Sequence, residues 1–355
     1  MRCAGYRHSW SSTFSQDNKI FLSFVDLYTV TTLPDPLSII SEPYDVLSTH
    51  ELKRIELKDL SSNSKRLCRV GVAVSNQEFR RWAVSNGAWA LPVDVILVEV
   101  TIGGVNGPIC HGAGIKHQTI SDYVRRIEYV DCNGNLQVVS DTEQLKAAAG
   151  CFGLLGVVTH VTFELDAMTY AVMEPRKVDI GLAIPPPTVD DIPQALRSDH
   201  ITATELESAN QDFERRAAES YYSEWFWFTY QKKAWVNTWD TTTDPTGLTD
   251  YPNDALVFLQ WIENWIGGVI TSHRLFQIIP GYWQAQPLAT LGMSSLSPTL
   301  GEDKTPTFKT MLPNGLHFRR GIQKMRVRDM EFEIPLPPTH DDPLNADYCV
   351  VQKAW

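Results

Sequence analysis

The densest run of chemically useful residues lies between Thr101 and Asp122, where Gly103, Gly104, Gly107, Gly112 and Gly114 surround Cys110, His111 and His117. Neutral imidazole is a competent nucleophile, a thiol can form a covalent link, and glycine lets backbone press against a ligand or enter left-handed turns. Glycine also loses the most backbone entropy on folding, so this run predicts a loop and no helix. A long turn-rich loop with no ligand is the ordinary alternative. Two further loops of the same kind flank it, Ala4-Gly5-Tyr6-Arg7-His8-Ser9-Trp10 and the segment from Gly150 through Gly153 and Gly156 to Val158, each beside a β-rich run. Three glycine loops on one sheet system predict a site for a large, flat cofactor.

Such loops need rigid neighbours. Met1 to Gly5 reads as the end of a strand and Lys19 to Leu27 as a strand entering a core. Residues 38 to 64 mix Pro, Ser, Asn and charge and read as a surface excursion. Arg66 to Val74 reads as a strand, and Asn76 to Asn86 as an amphipathic helix with Ser75 and Glu78 spaced as a capping box and Gly87 as its stop. A strand-like run from Val93 to Val100 delivers the chain into the central loop. Beyond it, Val124 to Val130 and Leu136 to Val139 form a hairpin around Asn133-Gly134, Asp141 caps a helix over 142 to 149, and a strand runs from Gly156 to Leu165. The style changes from Ile180, with Ile184-Pro185-Pro186-Pro187 as the boundary. A charged helix over 190 to 217 and an aromatic strand pair over Trp225 to Trp239 follow, predicting a wide sheet roofed by helices. Residues 295 to 314 read as loop, His317 to Glu333 as strand-rich, and Tyr348 to Trp355 as the start of an element.

A chain of 355 residues suits two domains, and 43% hydrophobic content with a mean hydropathy of -0.19 suits a globular protein with a sizeable core. A net charge of -11 without clustered cations argues against nucleic acid. The six cysteines show no C-x-x-C spacing, which argues against structural zinc and a dense disulfide framework and points to an intracellular or disulfide-poor protein. No metal ligand set stands out. The start has no apolar signal core. The run from Asp254 to Thr271 is short for a membrane span and carries Asp254 and Glu263. Trp261 and Trp265, four apart, share a helical face that suits an interfacial helix or a core helix, and the core reading is preferred.

In order and spacing, the G-x-R-H-S loop at Gly5 to Ser9, the Thr101-Ile102-Gly103-Gly104-Val105 and His111-Gly112-Ala113-Gly114 segments, and Gly153-Leu154-Leu155-Gly156-Val157-Val158 resemble the FAD-linked oxidases of the vanillyl-alcohol oxidase type, in their sugar-1,4-lactone and alditol oxidase branch. The resemblance is close over residues 2 to 170 and loose beyond. It implies an α+β protein. An FAD-binding (PCMH-type) domain of mixed sheets with flanking helices would occupy residues 1–175, and an α+β substrate or cap domain with a wide antiparallel sheet residues 176–355. The cofactor implied is FAD. Its pyrophosphate would be cradled by Gly5, Tyr6, Arg7, His8 and Ser9, with His8 either the covalent attachment point or a histidine bonded within the loop. Gly103, Gly104 and Gly107 would approach pyrophosphate and ring. His111, Gly112 and Gly114 would border the flavin edge, and Gly156 and Val157 the adenine side.

The same resemblance implies a sugar lactone or polyol as substrate, molecular oxygen as acceptor, and a compartment left open between a general intracellular one and the mitochondrial membrane surface, where association would be peripheral. Three departures matter. The strand, helix and strand that precede the G-x-R-H-S loop in the family are missing. No Glu-x-Arg pair follows Pro335, so the catalytic groups are expected beyond Trp355 and this chain by itself is expected to turn over little or nothing. Ala113 stands where the branch often has Ser or Thr and cannot donate to a polyol. Cys110 is read as a packing thiol.

Overall fold

The computed structural model describes residues 2–7, 18–41, 50–62, 64–197, 201–298, 303, 305–319, 336–338 and 346–355. The chain divides into two compact units, Met1–Ala171 with Thr241–Trp265 and Lys309–Lys324, and Val172–Asp240 with Ile266–Phe308 and Met325–Trp355.

In the first unit, β1 (Arg2–Ala4) lies parallel to β2 (Phe21–Ser23). A six-stranded antiparallel sheet contains β3 (Ile55–Ser62), β4 (Lys65–Gly71), β5 (Trp89–Ala90), β6 (Val124–Val130), β7 (Leu136–Val139) and β8 (Val157–Ala167). Its order is β3-β4-β8-β6-β7, with β5 also on β8. The alternating Val161, Phe163 and Leu165 of β8 are fully buried, and the helix Asn76–Asn86 covers them with Phe79, Trp82 and Ala83. Phe79 stacks on Trp82 at 5.4 Å and meets Phe163 at 6.1 Å. Removing a buried ring of this kind costs about 3–5 kcal/mol. The helix begins as its sequence predicts. Ser75 Oγ accepts from Glu78 N while Glu78 Oε2 accepts from Ser75 N at 2.7 Å, and Gly87 ends it at φ 64°. The β6–β7 turn is equally local, with Asp131 Oδ1 accepting from Asn133 N and Asn135 N and Gly134 at φ 82°.

Several expectations are corrected. Residues 38 to 64 are not all surface excursion: the sheet's edge strand β3 lies there, and the charge that masked it suits an edge, with Lys58 paired to Glu56 at 2.7 Å. Val93 to Val100 is buried in part but forms no strand. The carbonyls of Val98 and Val100 instead accept the N–H groups of Gln77 and Asn76, which the first turn of a helix leaves without partners. The glycine-rich central run contains a short helix, Ile102–Asn106, capped by Thr101, and a 3-10 turn at Ile120–Tyr123. Burial of Ile102 and Val105 in the core outweighs the glycine cost there.

A five-stranded sheet orders β10 (Arg176–Asp179), β12 (Lys233–Thr242), β9 (Tyr170–Met173) and β13 (Phe308–Met311), with β11 (Tyr222–Phe226) also on β12. β11 and β12 are the expected aromatic pair: Tyr222 faces Trp239 with ring centroids 4.8 Å apart. The charged helix is Ala203–Glu219 and starts later than predicted, at a capping box of Thr202 and Glu205. Residues 295 to 314 are not all loop, since β13 and the helix Leu312–Leu316 begin there. The final element is the helix Cys349–Ala354. Of the run His317 to Glu333, the residues after Arg319 lie outside the described ones. The helix Asp254–Ser272 is not the core helix preferred above. Trp261 is half-buried and donates to Pro34 O at 2.8 Å, but Phe258, Trp265, Ile266 and Val269 are exposed. Among the described residues no helix is long and apolar enough to cross a membrane.

Candidate cofactor site

The first unit brings the three glycine loops together. Gly5 stands so close to the cap of the helix Ile102–Asn106 that an added Cβ would lie 2.1 Å from Thr101 Oγ1. Arg2 Nη1 donates to Phe152 O at 2.6 Å, and Phe152 N donates to Gly107 O at 3.3 Å. A Cβ on Gly150 would come 2.7 Å from Ile109 Cδ1. The end of β1, the central loop and the Gly150–Gly153 loop are thereby tied into one cluster.

Glycine is required here mainly because the chain presses against itself, which corrects the idea that these positions all face a ligand. A side chain on Gly112 would meet Val93 Cγ2 at 2.2 Å and Asp94 O at 2.8 Å. Asp94 in turn is buried, accepts from Asn76 Nδ2 at 3.2 Å and lies 3.3 Å from His317 Nε2, so the loop rests on a fixed polar support. Gly156, at φ 139°, would meet Val130 O at 2.2 Å. Gly156 and Val157 therefore make their contacts with the end of the β6–β7 hairpin. His8 and Ser9 lie outside the described residues.

Each loop also holds one residue other than glycine in the left-handed region: Arg7 at φ 61°, Ile109 at 58° and Phe152 at 46°. Such a conformation costs on the order of 1–3 kcal/mol, persists only where the surroundings over-determine it, and is a genuine outlier for a β-branched isoleucine. Around this strained backbone Ile109, Ile115, Phe152 and Leu154 are exposed. Apolar side chains held to solvent on constrained loops form a rigid, partly apolar surface.

Polar donors complete it. Arg7 Nη2 donates to Ser23 Oγ at 2.9 Å and the guanidinium sits 5.0 Å from the Phe21 ring, while its Nε is buried with no hydrogen-bond partner among the described residues. No hydrogen bond among the described residues engages the N–H groups of Gly112, Ala113 or Gly114, with Gly114 at φ 103°. Gly103 and Gly104 differ, since their N–H groups turn inward to Val72 O and Thr101 Oγ1. The donors suited to an anion are thus Arg7 and the amides of 112–114. His111 Nδ1 lies 2.8 Å from Gly112 O. Tyr6 is half-buried and His117 likewise. Cys110 packs on the core with Sγ 3.8 Å from Gly104 O, as a packing thiol should.

Sequence reasoning missed Arg2, Thr101, Ile109 and Phe152 in this cluster, because a left-handed Ile or Phe has no signature in residue type. It also missed a polar network on the other face of β8. Arg69 holds Glu128 in a two-pronged pair at 3.0 and 2.9 Å and donates to Glu51 at 3.0 Å. Buried His160 lies 3.2 Å from Glu51 O and 3.6 Å from Glu128 Oε2. Burial and then Arg69 push the His160 imidazole below its ordinary pKa, and the Arg69 hydrogen bonds hold Glu128 below the usual carboxylate range. The β6–β8 register, which sets Glu128 opposite His160, is the only signal that unites these residues.

No protein-family model matches the chain. Over 90 residues it is 37% identical to a probable L-gulonolactone oxidase of Arabidopsis thaliana, a match covering 22% of this chain and 16% of the relative. A second L-gulonolactone oxidase of that plant is 36% identical over 90 residues, covering 22% and 15%. Among solved structures, a histidine-to-alanine variant of the cholesterol oxidase of Brevibacterium sterolicum superposes with a TM-score of 0.55 at 15% identity, over 89% of this chain and 54% of that one. Another cholesterol oxidase structure from B. sterolicum gives 0.54 at 13% identity, over 90% and 55%. The chain spans well under two thirds of each of these proteins. The structural likenesses establish the α+β fold, and over the matched 90 residues the sequence is similar to the L-gulonolactone oxidases, consistent with the sugar-1,4-lactone branch to which the motifs point.

Proposed function

We propose that the first unit binds FAD and that the protein is an FAD-dependent oxidoreductase acting on the CH–OH group of a sugar lactone or polyol, with oxygen as acceptor. The observation that carries this reading is the convergence of three glycine loops on one strained cluster in which, among the described residues, a buried arginine nitrogen and three consecutive amides have no hydrogen-bond partner. Those donors suit the two negative charges of a pyrophosphate, and the exposed Ile109 and Phe152 suit the face or edge of a flat ring. When bound, FAD supplies the redox chemistry by accepting hydride from the alcohol carbon. The chain's own residues hold and orient: Arg7 by charge, Gly112 to Gly114 by backbone donation, and Gly5 and Gly107 by keeping the loops in register. His8, in the same loop, is the proposed covalent attachment point.

The purified protein should retain or take up FAD with the absorbance of a bound flavin, and release of hydrogen peroxide with D-arabinono-1,4-lactone or a polyol tests the oxidase reading. A colourless protein that gains no flavin absorbance on incubation with FAD overturns the reading. Acid denaturation tests the bond at His8: flavin released intact from the wild type shows that no bond exists.

A further inference from the structure

The second unit carries a cavity of about 220 Å³ between its sheet and the helix Ala203–Glu219. Strand register builds the floor. Arg176 of β10 and Trp225 of β11 both pair with Val236 of β12, so the three side chains form one row on one face of the sheet. Above them, Leu206, Ala209 and Phe213 follow the i, i+3, i+7 spacing of a helical face, and Leu206 and Phe213 are buried. A large side chain at the middle position would fill the space. Ala209, which lines the cavity, leaves it open.

The cavity is apolar at its floor and cationic at its rim. Val236 and Phe213 are buried, and Phe213 meets the Trp225 ring edge-on at 5.4 Å. Arg216, Arg176 and Asp212 are more open, with side chains 15%, 23% and 33% exposed. Among the described residues that line it, Asp212 is the one acid against these two arginines. Asp212 Oδ2 accepts from Arg176 Nη2 at 2.5 Å and Arg216 Nε at 2.9 Å, and Oδ1 from Arg215 Nη2 at 2.7 Å. Arg216 Nη1 donates to Thr238 Oγ1 at 2.9 Å. Donors still outnumber acceptors. Arg176 Nε is buried with no hydrogen-bond partner among the described residues, and no hydrogen bond among them uses Arg176 Nη1 or Arg216 Nη2. Burial and then Arg176 hold the Arg216 guanidinium below its ordinary pKa, so added negative charge beside it is favourable.

We propose that this cavity binds a small monocarboxylate with a compact apolar body, the body against Phe213, Trp225 and Val236 and the carboxylate on the spare donors of Arg176 and Arg216. Size sets the class. A dry apolar cavity of about 150 Å³ takes benzene, so the space here suits one ring with a carboxylate and is too small for a nucleotide. Planar guanidinium groups match the carboxylate geometry. Asp212, held between the two arginines, opposes a second negative charge and so favours a monocarboxylate over a phosphate. The proposal does not depend on the flavin assignment.

Calorimetric titration of the full chain with benzoate tests it, beside benzamide, acetate and inorganic phosphate. Benzoate should bind at a single site, about tenfold or more tightly than benzamide, which lacks the charge, and than acetate, which lacks the ring. Arg176→Met should weaken benzoate about tenfold and leave benzamide unchanged. Ala209→Leu puts apolar volume into the cavity without touching the arginines, and should abolish benzoate binding with no loss of melting temperature. This second variant carries the test if Arg176→Met fails to fold. The proposal is overturned if benzoate does not bind, if benzamide or acetate binds as tightly, or if phosphate binds more tightly than benzoate. Benzoate binding that is unchanged in Ala209→Leu would place the ligand elsewhere in the chain and overturn it too.

Discussion

Two parts of this molecule hold large apolar side chains out to water, and they do so on opposite kinds of backbone. In the loop cluster of the first unit, Ile109 and Phe152 are left-handed, Gly5, Gly112 and Gly150 have no room for a Cβ, and nearby donors lack partners among the described residues. In the helical segment from Ile266 to Ser294 of the second unit the exposed residues sit on ordinary helices, Gly268 and Gly281 have open space where a Cβ would go, and Thr271, Gln277 and Gln284 bond back to nearby carbonyls. The difference separates two kinds of recognition. A crowded, strained surface with unsatisfied donors is pre-shaped for one ligand of fixed geometry. A relaxed helical surface places no such demand on the shape of what meets it.

Substituting glycine in each region should show the largest contrast. Gly156→Ala combines a conformation reserved for glycine with a clash against the Val130 carbonyl, and should lower stability by about 3–5 kcal/mol in urea unfolding. A loss under 1 kcal/mol would show that the loops are looser than described. Next in size is Arg7→Met. It removes the cation whose buried Nε has no partner among the described residues and should weaken FAD binding about tenfold with little change in melting temperature. Equal loss of stability and affinity would instead make Arg7 a structural brace for Ser23 and Phe21.

Acid should act on the first unit through His160. Its folded pKa lies below the ordinary 6.5, so the unfolded chain takes up a proton that the folded one resists. The stability this represents is complete above pH 6.5 and is lost as pH falls from there through the folded pKa. Glu128 and Glu51, also lowered, extend the loss below about pH 4.5. The melting temperature should therefore fall on acidification from neutrality, and His160→Gln should flatten the upper part of that fall; an unchanged profile would remove His160 from the account. The smallest effect belongs to the helix Asp254–Ser272. Gly268→Ala, in a helix with room for the methyl, should raise stability by about 0.5–1 kcal/mol, and a loss would show that this helix is packed as tightly as the loops.

The sequence by itself determined the features whose partners lie within a turn or two. The capping box of Ser75 and Glu78, the stop at Gly87, the Asp131 to Gly134 turn and the Asp141 cap are hydrogen bonds between residues at most four apart, so residue type at fixed spacing is enough to read them. The G-x-R-H-S and T-I-G-G-V segments likewise pointed to the loops. Only the tertiary structure decided how those loops meet. Arg2 and Phe152 are 150 positions apart, Glu128 and His160 are aligned by strand register, and Val93 to Val100 turns its carbonyls to a helix start instead of a ladder. The helices Asp254–Ser272 and Gly281–Ser294 show the same limit from the other side. Periodicity marks Ile266, Val269 and Trp283 as apolar, but whether an apolar face is covered or left open depends on which distant segments pack against it, and no spacing along the chain records that.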